Sequence, residues 1–343
     1  MRMNSKYYKQ LFFISITWLM LACNNEQSKK ETAYKTTGSV ERIDAALDSI
    51  IDPDAKAEII AEGFEWSEGT LWVEKENMLL FSDVPTNTIY KWTEAKGKEI
   101  YLTPSGYTDT VKQAGETGSN GLLLDADGNL VLCQHGNRQM ARMDAALNQP
   151  AAKFISLASR YNGKRLNSPN DAVYNSAGEL FFTDPPYGLE QGDDDPKKEL
   201  PFNAVYKIKT NGEVILLVDS IPRPNGIAFL PGEQQLLIAS SDGANPNWYI
   251  YDVKGDSLTN GKLFYNNIAA AKGLNGSPDG LKVDKNGNVF ATGPGGIWIF
   301  NSEGKLLGKL KLTEATSNCA LSTDEKTLYI SNDMQVLRFK MRN

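Results

Sequence analysis

The chain has 343 residues and a single histidine, His135. That scarcity excludes HExxH zinc sites and multi-histidine metal centres. A serine triad would have to use His135, and the sequence contains no G-x-S-x-G elbow. Cysteine is almost as rare, with only Cys23, Cys133 and Cys319. A disulfide scaffold needs more, and a chain of this length buries an ample core without one. Cys133 and Cys319 read as small buried residues, with a bridge between them as the alternative. No basic block is present and the formal charge is −6, which argues against nucleic acid and anionic membrane surfaces as partners. Beyond the first 22 residues, no apolar run is long enough to span a bilayer.

The first 22 residues read as a targeting segment rather than as structure. Arg2, Lys6 and Lys9 precede the apolar run Leu11 to Ala22, which is too short for a span and fits a signal-peptide core. The run ends at Met-Leu-Ala-Cys, and a polar stretch follows. This resembles a bacterial lipoprotein signal in which Cys23 becomes the lipidated first residue; a soluble secreted protein cut nearby is the alternative. The expectation is an exported protein, lipid-anchored at a membrane and periplasmic or cell-envelope in location. The segment carries three positive charges and no negative ones, so its removal takes the formal charge from −6 to −9. Residues 23–54 are expected as a polar tether. It would include a short helix over 39–51, with Ser39 as cap and Ile43, Ala46, Leu47 and Ile50 at helical spacing.

Residues 55–343 lack long helical periodicity and consist of short β-rich runs broken by Gly, Asn and Asp, which predicts an all-β domain. One pattern recurs six times: a turn, an aliphatic residue, then an apolar strand. The aligned aliphatic residues are Leu79, Leu130, Leu180, Leu236, Val289 and Leu328, spaced 39 to 56 residues apart. A further strand follows each copy. Six such units predict a six-bladed β-propeller, because a blade cannot bury its two faces alone and must stack on its neighbours. The sixth copy begins near the C-terminus, so ring closure calls for a strand from the other end, with Lys56 to Glu62 as the candidate clasp.

Ten or eleven residues before each aligned aliphatic stand Glu68, Asn120, Asn170, Asn225, Asp279 and Asn318. All six are carboxylates or carboxamides, which are poor strand formers. In a propeller, equivalent positions form a ring around the axis, so the pattern predicts a circle of oxygens at one mouth of the channel. Hard cations such as calcium take six to eight oxygen ligands, and Glu68 and Asp279 would balance a double charge. Turn residues satisfying strand-start backbone groups are the competing explanation, which accounts for one or two Asn but not six in register. The repeat does not say which members of the ring would touch an ion.

The segments GFEWSEGTLW, SNGLLLDADGNLVLCQHGNRQMAR, RLNSPNDAVYNSAGELFFTDPPYGL, PNGIAFLPGEQQLL and GSPDGLKVDKNGNVFATGPGGIWIF resemble the SMP-30/gluconolactonase/LRE-like family. That family includes regucalcin, sugar lactonases and diisopropylfluorophosphatases, and the NSPND and FTDPPYG segments look most like its gluconolactonase branch. The resemblance implies metal ligation by Glu68, Asn170, Asn225 and Asp279, with Ca2+ as the first expectation and Zn2+, Mn2+ or Mg2+ as alternatives. It departs from the family at Thr70, where proline is usual, and at Ser168, where regucalcin-like members have arginine.

The implied activity is hydrolysis of a sugar lactone, a carboxylic-ester hydrolysis, by a chain expected to act as a monomer. Asp171 is the first candidate for the water-activating base and Asp279 the second, with an orienting role behind Asn170 as the alternative for Asp171. Strands that return to the ligand face would bring His135, Asp184 and Tyr187 to the pocket rim. Asn120 and Asn318, the remaining ring members, would reach substrate. Two rival functions stand beside this one: a metal-dependent phosphotriesterase or fluorophosphatase, and a non-enzymatic binding propeller.

Overall fold

The computed structural model describes residues 34–111, 113–269 and 272–342. Cys23 and the targeting segment lie outside the described residues. The described chain forms six antiparallel sheets of four or five strands, the blades of a six-bladed propeller, plus one two-stranded hairpin. In chain order the innermost strands are Ser67–Val73, Ser119–Leu124, Ala172–Tyr174, Pro224–Phe229, Leu281–Val283 and Thr316–Leu321. Each pairs with the apolar run picked out by the repeat, and those second strands are buried almost throughout.

Burial of both faces explains why these strands read as continuous apolar runs. Successive side chains of a strand point to opposite faces. In Met78–Asp83, Leu79 and Phe81 pack towards blade 6, while Leu80 packs towards blade 2. In Leu130–Gln134, Leu130 and Leu132 face blade 1, while Val131 and Cys133 face blade 3. The described core resolves into six clusters, one at each junction between neighbouring blades. Cys133 and Cys319 sit in different junctions and are free thiols, which removes the bridge between them.

Closure follows the expected route. Ala57–Glu62 pairs antiparallel with Gln335–Lys340 and completes blade 6. Arg338 of the C-terminal strand binds the Glu58 carboxylate at 2.6 Å across this seam.

The segment before the clasp differs from the tether and helix expected over 23–54. Thr36–Thr37 adds to the clasp strand, and Ser39–Arg42 is a strand on the outer edge of blade 5, paired with Leu306–Lys311. Among its described residues only Ala45–Ser49 is helical, as a 3₁₀ turn capped by Asp44 rather than Ser39. The blade 5 edge offers a ladder of unpaired backbone groups, and pairing there outweighs a short isolated helix. Leu47 and Ile51 still bury in the junction of blades 5 and 6. Gly308 makes room for Leu47, since a Cβ there would lie 2.5 Å from it.

Candidate metal and substrate cavity

The six ring residues all lie at or just ahead of an innermost strand, as the repeat requires. In four blades the ladder shifts register at or beside the ring residue: after Ser119, Pro224, Thr316 and Glu68. Such bulges re-aim side chains, and here they occur where the strands converge on the axis. The glycine after a ring residue lets the next blade approach. A Cβ on Gly226 would lie 2.1 Å from the Asp279 carbonyl oxygen. On Gly121 it would lie 2.7 Å from the Asn170 carbonyl oxygen, to which the Gly121 amide donates at 2.8 Å.

Five of the six ring residues, Glu68, Asn120, Asn170, Asn225 and Asp279, line one cavity of about 270 Å³. Three of their oxygens are enclosed without a hydrogen-bond partner: Asn120 Oδ1, Asn225 Oδ1 and Asp279 Oδ1. The orientation of Asn225 is fixed from behind. Its Nδ2 donates to Ser241 Oγ at 2.7 Å, and that hydroxyl donates to the Pro278 carbonyl at 2.9 Å. The amide oxygen is thereby the atom left free.

Buried oxygens without partners are costly, and each calls for an explanation. The two carboxylates sharpen the need. Burial pushes Glu68 up to about 8, with the nearby charges of Glu116 and Asp171 adding to the effect. Burial also raises Asp279 well above the usual carboxylate range, and the Glu68 charge raises it further. Among the described residues no three His, Cys, Asp or Glu side chains gather as a conventional metal cluster. The amide oxygens would therefore have to complete any coordination begun by the two carboxylates. Hard oxygen donors with two negative charges fit a divalent cation of the calcium type.

Four expected positions fall elsewhere. Asn318 does not line the cavity; its Oδ1 accepts from Lys282 Nζ at 3.3 Å and from the Cys319 amide at 2.9 Å. Asp171, expected as the water-activating base, is also buried outside the cavity lining. Its Oδ1 accepts from the Ala172 amide at 2.9 Å, and burial raises its pKa against the opposing charge of Lys282. The two residues and Lys282 form a polar layer within the channel. Asp184 is withdrawn from the rim, because its carboxylate accepts from the amides of Asn167 and Ser168, both at 2.8 Å. It anchors the segment that carries Asn170, and burial pushes it up to about 7. His135 is fully buried and does not line the cavity either. Tyr187 does line it, with the Arg223 guanidinium 5.8 Å from its ring centre.

The cavity also contains residues that the repeat had not singled out. Trp66, Arg223, Ser277 and Thr316 all line it, each two positions before a ring residue. Residues i and i+2 of an extended segment share a face, so the register that found the ring could have found these too. Among the described residues Arg223 is the one cationic side chain in the lining, and it stands in blade 4 at the position that Ser168 occupies in blade 3. Glu116 and Ser241 also line the cavity, outside that register.

A family model described as SMP-30/Gluconolactonase/LRE-like region matches residues 66–333. A gluconolactonase of Zymomonas mobilis is 36% identical over 324 residues, covering 92% of this chain and 90% of that protein. The structure of a gluconolactonase from Xanthomonas campestris superposes with a TM-score of 0.76 at 28% identity, covering 90% of this chain and 97% of the other. A calcium-binding regucalcin from Agrobacterium tumefaciens shares the fold, with a TM-score of 0.65 at 14% identity over 84% of this chain and 95% of that one. The matched region takes in every ring residue and all but the ends of the propeller, and the chain belongs to the SMP-30/gluconolactonase/LRE-like family.

Proposed function

We propose that this chain is a calcium-dependent lactonase that opens a sugar lactone, with Glu68, Asn170, Asn225 and Asp279 holding the ion. The observation that carries the reading is the enclosure of two carboxylates in one cavity, Asp279 raised by the charge of Glu68, beside the unpartnered oxygens of Asn225 and Asp279. Likeness to a gluconolactonase at 36% identity supports the substrate class, and the calcium-binding regucalcin supports the ion.

When bound, the cation supplies positive charge where the lactone carbonyl oxygen gains negative charge during attack. The chain's own residues do the rest. A cavity of about 270 Å³ is small for a ligand site and suits a single sugar ring. Asn120, Arg223, Ser277 and Thr316 offer polar groups to the ring hydroxyls, and Trp66 and Tyr187 offer apolar faces to its carbons. Asp279 lines the cavity, whereas Asp171 lies outside its lining.

The deciding test is hydrolysis of a panel of sugar lactones, with a phosphotriester included, before and after chelation and with calcium added back. The expected result is lactone opening that chelator abolishes and calcium restores. Hydrolysis indifferent to chelator, or turnover of the phosphotriester alone, would sink the proposal. The backbone contact behind Asp279 gives a second check. Gly226→Ala places a methyl group against the Asp279 carbonyl and is expected to weaken calcium binding roughly tenfold or more, read by titration calorimetry. Unchanged affinity would show that Asp279 does not hold the ion.

A further inference from the structure

Among the described residues three carboxylates line the cavity: Glu68, Asp279 and Glu116. The first two belong to the ring assigned to the ion, and a carboxylate committed to a dication is a poor proton acceptor. Glu116 comes from the loop ahead of the blade 2 innermost strand, and its side chain is 35% exposed. Its position is not left to chance. Asn87 Oδ1 accepts from the amides of Ser105, Gly106 and Tyr107, and the Gly118 amide donates to the Val84 carbonyl at 2.8 Å. Both ends of the loop are thereby tied to blade 1.

Behind Glu116 lies His135, the chain's one histidine. Its Nδ1 is 3.4 Å from Glu116 Oε2, and among the described residues neither ring nitrogen has a hydrogen-bond partner. Burying an imidazole with both nitrogens unpaired is costly and is not explained by packing. The His135 amide donates to the Gly118 carbonyl at 3.1 Å, which ties the end of the second strand to the Glu116 loop. On its other side, a Cβ on Gly188 would lie 2.7 Å from His135 Cβ. The imidazole is thus wedged in the wall and reaches the cavity only through Glu116.

We propose that Glu116 is the catalytic proton carrier, with His135 as its positioning residue; the assignment rests on the lactonase reading above. In the first step Glu116 takes a proton from water as the water oxygen bonds to the lactone carbonyl carbon. In the second, the bond from that carbon to the ring oxygen breaks, and its electron pair stays on the ring oxygen. Glu116 returns its proton to that oxygen, which leaves the open hydroxy acid and restores the carboxylate. One water is consumed and nothing is oxidised or reduced.

The test uses the full chain loaded with calcium, with glucono-1,5-lactone as substrate. Glu116→Gln is expected to lower kcat about 10²-fold or more, the usual span for lost acid–base catalysis, while the protein still binds calcium, within about tenfold of the wild-type affinity by calorimetry, and is assayed at saturating calcium. Because the side chain opens to solvent, added formate is expected to restore part of the activity of Glu116→Ala. His135→Asn is expected to lower kcat about tenfold and leave KM within about twofold, a split that a merely structural histidine would not give. Wild-type kcat in Glu116→Gln overturns the assignment alone. So does a loss that formate does not relieve, or one that follows loss of calcium. Wild-type kcat in His135→Asn removes the histidine's part in it. A calcium-binding wild type that opens no lactone overturns the lactonase reading itself.

Discussion

Replacing Asp279 by asparagine is expected to lower lactone hydrolysis by about 10³-fold or more and to raise the stability of the chelated protein at pH 8. The two effects have one cause. Glu68 and Asp279 are buried in the same cavity, burial raises both, and the Glu68 charge makes ionisation of Asp279 harder still. A cation favours the ionised pair; without it, the fold bears the cost of enclosing two groups that are ionised in the unfolded chain and held protonated, or charged and unpaired, in the folded one. Asparagine keeps the shape of the site and removes one charge, so it relieves the repulsion while depriving an ion of its countercharge.

The pH dependence follows from the same shifts. Glu68 rises from 4.5 to about 8 on folding, so between those values the folded chain binds more protons than the unfolded one. Stability of the chelated wild type therefore falls as pH rises from about 4.5 to about 8, by an amount on the order of a few kcal/mol. Asp279 is raised as well and acts in the same direction. Calcium is expected to flatten this slope. Thermal melts across pH, with chelator and with calcium, measure both effects. A chelated Asp279→Asn protein that melts no higher than wild type at pH 8 would refute the argument.

The sequence made the ring legible because every blade repeats the same constraint. An innermost strand must start at the axis, and in five of the six blades the polar side chain there lines the cavity. The second strands were equally plain, since burial on both faces leaves no polar alternation to obscure them. Asp171 lies away from the cavity for a related reason. Asp171 is adjacent to Asn170, but neighbouring residues of an extended chain point to opposite sides. Asn170 faces the cavity, while Asp171 turns towards Lys282 in the polar layer. Glu116 was invisible because it lies in a loop outside the repeat, and its place depends on contacts with Asn87 and His135. The strand at Ser39–Arg42 depends on the free edge of Leu306–Lys311, more than 260 residues away, which no local pattern reports.

A chain that begins at Gly63, lacking the clasp, is expected to lose the fold at room temperature. Removal of residues up to 62 takes away Ala57–Glu62 and leaves Gln335–Lys340 as a bare edge. It also strips Ala57, Leu47 and Ile51 from the junction of blades 5 and 6, and Ile60 and Ala61 from that of blades 6 and 1. At about 1.5–3 kcal/mol for each large apolar side chain, the loss approaches the whole stability of an ordinary domain. Arg338, mostly buried, would keep Glu94 but lose Glu58. The exposed strand, with Val336, Leu337 and Phe339 uncovered, would be prone to pair with another copy. The point variant Ile60→Asp attacks the same seam and is expected to cost about 3–5 kcal/mol in urea unfolding. A truncated chain that stays soluble and melts within a few degrees of the full one would show that the clasp is dispensable.

The seam also bears on the site, because Glu68 follows directly from it. The Ser67 hydroxyl donates to the Asp333 carbonyl at 2.7 Å, and the Ser317 hydroxyl donates to the Ser67 carbonyl at 2.6 Å. Closure of the ring and placement of its first carboxylate are therefore one set of bonds, and Ile60→Asp is expected to weaken calcium binding as well as the fold.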